Sequence, residues 1–113
     1  MRKILQPFID VRIKRFYHSV KHPVESQNRI LKSILEKAKE TELGREKSFQ
    51  EIKNFNEFAR RLEIRDYNSY QPVIERIIKG ERDVLWPGKI NWFAKSSGTS
   101  ESKSKYIPIS VDA

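Results

Sequence analysis

The apolar residues of this chain change period once, at Gly80, and that change limits what the chain can fold into. Before Gly80 they recur at three- and four-residue spacing, which marks amphipathic helices. After it they alternate, which marks strands. The 113 residues are therefore expected to form an α+β fold. About four helices occupy 1–80, and a strand, a polar loop and a second strand occupy 90–109.

Within the first part, Leu5, Phe8, Ile9, Ile13, Phe16, Tyr17 and Val20 form the stripe of a first helix, with Pro7 in its opening turn. Such a stripe is expected to dock on the rest of the protein. A second helix follows His22-Pro23, with Val24, Gln27, Leu31, Ile34, Leu35 and Ala38 on one face. Leu43-Gly44 reads as its end, the glycine taking the left-handed conformation. Ser48-Phe49-Gln50-Glu51 has capping-box spacing, and Asn54 is placed to cap a short helix carrying Phe55, Phe58 and Leu62. A brief extended segment is read at Leu62-Glu63-Ile64. Asp66 to Ser69 then turns into a last helix, with Pro72 near its start, Val73, Ile74, Ile77 and Ile78 on its buried face and Gly80 at its end.

Beyond Gly80, Trp86-Pro87-Gly88 is a turn signal. Residues Ile90 to Lys95 and Lys105 to Ile109 alternate, and Pro108 argues for an edge or a strand end. Trp86 and Trp92 read as core anchors. Ser110-Val111-Asp112-Ala113 places a capping serine and an acidic residue where a further helix is expected to begin, which resembles a truncation at a helix start, although a frayed tail is the plainer explanation.

Composition narrows the function classes. Hydrophobic residues make up 37% of the chain, against roughly 45–50% in an average soluble domain, so the core is lean. Charged residues reach 34% and mean hydropathy is −0.71, and no stretch approaches the ~18 apolar residues of a membrane span. Asp10 and Arg12 interrupt what would be the apolar stretch of a signal peptide. There is no cysteine, which removes disulfides, thiolate metal sites and thiol nucleophiles together. A lean, cysteine-free chain fits a reducing, cytoplasmic setting.

The net charge of +8 is uneven: residues 1–22 carry six Lys/Arg against Asp10 alone. The excess is a local patch on the first helix rather than a face suited to nucleic acid. Neither His18 nor His22 has a partner suggesting a metal or a catalytic triad. Glu75 and Arg76 read as a solvated face, and Glu36 and Glu40 as an exposed row.

Chemistry concentrates in the polar loop. Six of the nine residues from Ser96 to Ser104 bear hydroxyls. Phosphate oxygens take short donors from hydroxyls and backbone N–H groups, a glycine lets the main chain approach, and a lysine offsets the charge. The spacing is not the G-x-x-x-x-G-K-[ST] phosphate loop. On composition alone a solvated hairpin loop is the better reading.

Ser96-Ser97-Gly98-Thr99-Ser100, with Lys105 five residues on, resembles the first nucleotide-binding signature of the acyl-adenylate-forming superfamily. Trp92-Phe93-Ala94-Lys95-Ser96-Ser97-Gly98-Thr99-Ser100, running into Lys103-Ser104-Lys105-Tyr106-Ile107-Pro108, resembles more closely the auxin-responsive promoter family of acyl acid amido synthetases. Thr41-Glu42-Leu43-Gly44, Tyr67 through Pro72 to Ile77, Lys79-Gly80-Glu81 and Leu85-Trp86-Pro87 agree with it in order. The resemblance implies the N-terminal portion of a larger α/β adenylate-forming enzyme. It also implies ATP and magnesium as cofactors, and a small carboxylic acid and an amine or amino acid as substrates. Ser96, Ser97, Thr99 and Ser100 would donate to ATP phosphate oxygens, Gly98 would allow close approach, and Lys105 would be the motif's lysine. Glu101 and Ser102 stand where many relatives carry glycine. The adenine, ribose and acyl sites are expected beyond Ala113, with no catalytic residue or metal ligand assigned within 1–113. Two other readings remain at this stage. One is a small basic module binding an acidic partner, RNA or a membrane surface through residues 1–22, and the other is a structural domain whose loop holds no ligand.

Overall fold

A computed structural model describes residues 2–97 and 104–112. Five helices are followed by one antiparallel hairpin. The helices are α1 (Arg2–Lys21), α2 (Pro23–Ala38), α3 (Glu42–Glu46), α4 (Phe55–Arg61) and α5 (Tyr67–Ile78), with a 3-10 turn at Phe49–Glu51. The hairpin is β1 (Trp92–Lys95) and β2 (Tyr106–Ile109). No helix among the described residues is long and apolar enough to cross a membrane.

Local chemistry sets most of these boundaries. Asn54 accepts the Glu57 N–H at 3.0 Å, and Glu57 reaches back to the Lys53 N–H at 2.8 Å, so α4 starts on two reciprocal bonds. Asp66 caps α5 through the Ser69 N–H at 2.9 Å. At its other end Glu81 N–H bonds the Arg76 carbonyl and Gly80 N–H the Ile77 carbonyl, with Gly80 at φ +95. That is a Schellman stop, and a side chain at Gly80 would oppose its left-handed backbone. Leu62 is extended, as its sequence suggests.

Three local expectations are corrected. Gly44 does not end α2, which stops at Ala38; it lies inside α3, a helix the sequence reading missed. Thr41 starts that helix, and the orphan N–H groups of Glu42 and Leu43 are accepted by the carbonyls of Asp83 and Val84 at 2.8 and 3.1 Å. Ser48 makes no capping box: its backbone is left-handed at φ 51 and its side chain caps nothing. The Glu51 carboxylate that would complete the box is bonded to Arg61 at 2.9 Å. Pro7 lies well inside α1 rather than in its first turn, and the helix runs through it without the hydrogen bond a proline nitrogen cannot donate.

Two small cores result. Leu35 and Ala38 of α2 pack with Phe49 and Ile52, and Leu31, Leu43, Phe58 and Leu62 close around them. Ile77 of α5 packs with Val84 and Ile90, flanked by Val73, Leu85 and Phe93. Trp86 touches both and joins them, as expected of a core anchor. Its indole N–H donates to Asp112 at 3.1 Å, and Lys37 holds the other carboxylate oxygen at 3.0 Å. The Lys37 bond, then that of Trp86, draws the Asp112 carboxyl below its ordinary range. Ser110 accepts the Asp112 N–H at 3.3 Å, and residues 111–112 form a turn.

Much apolar surface stays uncovered. The accessible area is 9641 Å², against about 6,500 Å² for a compact monomer of this mass. The radius of gyration is 17.9 Å, where about 13 Å is usual for this length. The α1 stripe does not dock within the described residues: Phe8, Phe16 and Tyr17 are all more than half exposed. Trp92 is 70% exposed, which corrects its reading as a core anchor. It stands at the outer end of β1 in a sheet of only two strands.

Candidate functional site

The hairpin pairs Trp92 with Ile109, Phe93 with Pro108, Ala94 with Ile107 and Lys95 with Tyr106. One step further, Ser96 N–H donates to the Lys105 carbonyl at 2.9 Å. Lys105 N–H returns a bond not to the Ser96 carbonyl but to its hydroxyl, at 3.2 Å. The Ser96 side chain thus closes the ladder where the polar loop opens. Pairs 96/105, 94/107 and 92/109 are the hydrogen-bonded ones, so 93/108 falls between them. Pro108, which has no N–H to give, occupies a position that faces the free edge.

Of the residues singled out from the sequence, the fold brings Ser96 and Lys105 together across the loop mouth, with Ser97 exposed beside them. Gly98, Thr99 and Ser100 lie outside the described residues, as do Glu101, Ser102 and Lys103. The Lys105 ammonium sits over the Tyr67 ring, 5.5 Å from its centroid. Across the sheet Lys95 sits 5.9 Å from the centroid of the Tyr106 ring. Two cations therefore rest on aromatic faces at the end of the hairpin, a weak attraction that leaves both heads accessible. Asp66 is the nearby acid: its bonds to the Ser69 backbone and hydroxyl hold its carboxyl below the usual range, and the Lys105 charge adds to that.

Tyr67, which the sequence reading did not single out, ties the hairpin to α5. Its hydroxyl accepts the Tyr106 N–H at 2.8 Å and donates to the Tyr106 carbonyl at 3.3 Å. A groove of about 400 Å³ runs between α5 and β2, lined by Tyr67, Asn68, Gln71, Ile74, Glu75 and Lys105 among others. A larger hollow of about 710 Å³ lies along α2 from His22 to Lys32. Being built on one helix, it cannot enclose a ligand. Among the described residues no group of three or more His, Asp or Glu side chains gathers to hold a metal.

Arg76 was read as part of a solvated face; it stays partly exposed there but is tied into an ion-pair network that reading did not include. Its guanidinium bonds Glu42 of α3 through Nη1 at 2.9 Å and Glu81 through Nε at 2.7 Å, with Nη2 shared between the two carboxylates. The guanidinium bonds pull both glutamates below their ordinary range and push Arg76 further up. Sequence spacing carries no hint of this contact, because Glu42 and Arg76 are 34 positions apart. His18 and His22 stack at 4.7 Å on exposed positions and touch none of these groups.

Residues 12–113 match the family described as "GH3 family N-terminal domain". Over 85 residues the chain is 39% identical to "Putative indole-3-acetic acid-amido synthetase GH3.9" of Arabidopsis thaliana. That similarity covers 74% of this chain and 14% of the relative. No solved structure matches the chain.

Proposed function

The chain belongs to the GH3 family, and from that premise we propose that it forms the ATP-phosphate-contacting part of an acyl acid amido synthetase. In the proposed reaction a carboxylate oxygen of a small acid attacks the α-phosphorus of ATP and pyrophosphate leaves. The nitrogen of an amine or amino acid then attacks the acyl carbon and AMP leaves. The setting is cytoplasmic, without nucleic acid or membrane as partner, and the adenine, acyl and amine sites lie in the rest of the enzyme.

Within this segment the donors are the Ser96, Ser97, Thr99 and Ser100 hydroxyls with the backbone N–H groups around Gly98, and the cation is Lys105. Their task is to stabilise charge developing on the departing pyrophosphate. The observation that carries the reading is the loop mouth itself: Ser96 and Lys105 bonded across it, with the Lys105 ammonium held on an aromatic face rather than in an ion pair among the described residues. A cation so placed is available to an incoming anion. Magnesium does not fit a protein cage here, since no acidic or histidine cluster is present among the described residues.

Exchange of labelled pyrophosphate into ATP by the full-length enzyme tests the reaction. Exchange should require a carboxylic acid, and Thr99→Ala or Lys105→Ala should each lower it on the order of 10²–10³. Wild-type rates in both variants under saturating ATP would make the loop an ordinary hairpin connection.

A further inference from the structure

The 95/106 pair is a non-hydrogen-bonded pair of the hairpin, so the Tyr106 N–H and C=O point away from β1 toward an open sheet edge. The Tyr67 hydroxyl bonds both of them, at 2.8 and 3.3 Å. One side-chain oxygen thus does for this edge what a third strand would do. The residue just before β2 is Lys105, and its ammonium lies 5.5 Å from the centroid of the same Tyr67 ring. A single side chain on the first turn of α5 therefore holds both the backbone beside Lys105 and the Lys105 head group.

Stability does not account for this arrangement. Tyr106 is 39% exposed, and a hydrogen bond at a partly exposed residue adds only a small net gain to stability. What the bonds supply instead is a fixed distance between the hairpin and α5. We propose that Tyr67 is a positioning residue for the phosphate-contacting loop: its hydroxyl fixes the register of the hairpin against α5, and its ring holds the Lys105 ammonium at the loop mouth. This rests on the assignment of Lys105 to the ATP phosphates. It predicts that Tyr67 acts through Lys105 and not beside it.

The test is a double-mutant cycle in the full-length enzyme with Tyr67→Phe, Lys105→Ala and the double variant. It is read by pyrophosphate exchange, thermal melting and amide hydrogen exchange at Tyr106. Tyr67→Phe keeps the ring and loses only the hydroxyl. It should lower kcat/KM for ATP about tenfold, the rate equivalent of one net hydrogen bond. The KM for the carboxylic acid should not change, melting should stay within ~3 °C, and the Tyr106 amide should exchange faster. In the Lys105→Ala background it should cost less than about twofold more. A Tyr67→Phe enzyme at wild-type rate beside an impaired Lys105→Ala enzyme overturns the inference and leaves the functional reading standing. Equal losses in both backgrounds, or a melting drop beyond ~10 °C, would make Tyr67 a structural anchor only. Lys105→Ala at wild-type rate would remove the functional reading itself.

Discussion

Thr41 is 1% exposed, and its hydroxyl makes two bonds at the join of α2 and α3. It accepts the buried Gly44 N–H at 3.0 Å and donates to the Ala38 carbonyl at 2.7 Å. Thr41→Val keeps the volume and removes both. The Ala38 carbonyl still has the Thr41 N–H at 3.0 Å, so that loss is an ordinary net hydrogen bond of ~0.5–1.5 kcal/mol. The Gly44 N–H is left buried without a partner, which costs ~1–3 kcal/mol. Better burial of the valine methyl returns under ~1 kcal/mol, leaving a net loss of ~2–3 kcal/mol. Thr41→Ser keeps both bonds and gives up one methyl, for ~1 kcal/mol. Urea unfolding followed by Trp86 and Trp92 fluorescence separates the two. With a slope near the low end of ~1–3 kcal/mol/M, the valine variant should unfold ~1 M or more below the serine variant. Equal midpoints, or a valine variant more stable than serine, would refute the idea that this hydroxyl caps α3.

Three further outcomes follow from the same structure. Gly44→Ala should cost at least ~3 kcal/mol by the same unfolding measurement. Its Cβ would overlap the Ala38 carbonyl oxygen and come within 2.7 Å of the Lys39 oxygen, both backbone atoms that cannot step aside. Arg76→Met should flatten the acid limb of the stability profile. Glu42 and Glu81 are held below their ordinary value, so their contribution is present above about pH 4.5 and is lost as pH falls through their lowered folded values. Fluorescence anisotropy with RNA should show only salt-sensitive binding by the basic α1 segment in the ~10⁻⁴–10⁻⁶ M range, and sub-micromolar, sequence-selective binding at physiological salt would contradict it.

The division into helices and one hairpin was legible because it rests on periodicity, and the ends at Asn54 and Gly80 were legible because each uses a local residue pattern, whereas Asp66 was read only as the start of a turn and is the cap of α5. Thr41 and Gly44 show where local reading fails. A glycine after an apolar run reads as a helix end, yet here a buried threonine restarts the helix and its first N–H groups bond carbonyls some forty residues on. Ser48 fails for the same reason, since Arg61 takes the glutamate its capping box needed. At the candidate site, Ser96 and Lys105 were visible from composition and resemblance, but Tyr67 was not. Its role depends on a contact 39 positions away that no spacing rule encodes. Trp92 was read as buried from its apolarity alone, whereas burial needs a neighbouring surface, and the described residues leave it 70% exposed.

Amide hydrogen exchange of the full-length enzyme, with and without ATP, tests most directly whether residues 96–105 contact the phosphates. Donors engaged by phosphate oxygens exchange slowly, so the backbone amides between Ser96 and Lys105, whose own amides are already bonded to each other's residue, should be protected by ATP. Pyrophosphate alone should protect them in part, and the protection should weaken in Lys105→Ala. Protection confined to other parts of the enzyme, with exchange across 92–109 the same with and without nucleotide, would show that the hairpin does not hold ATP.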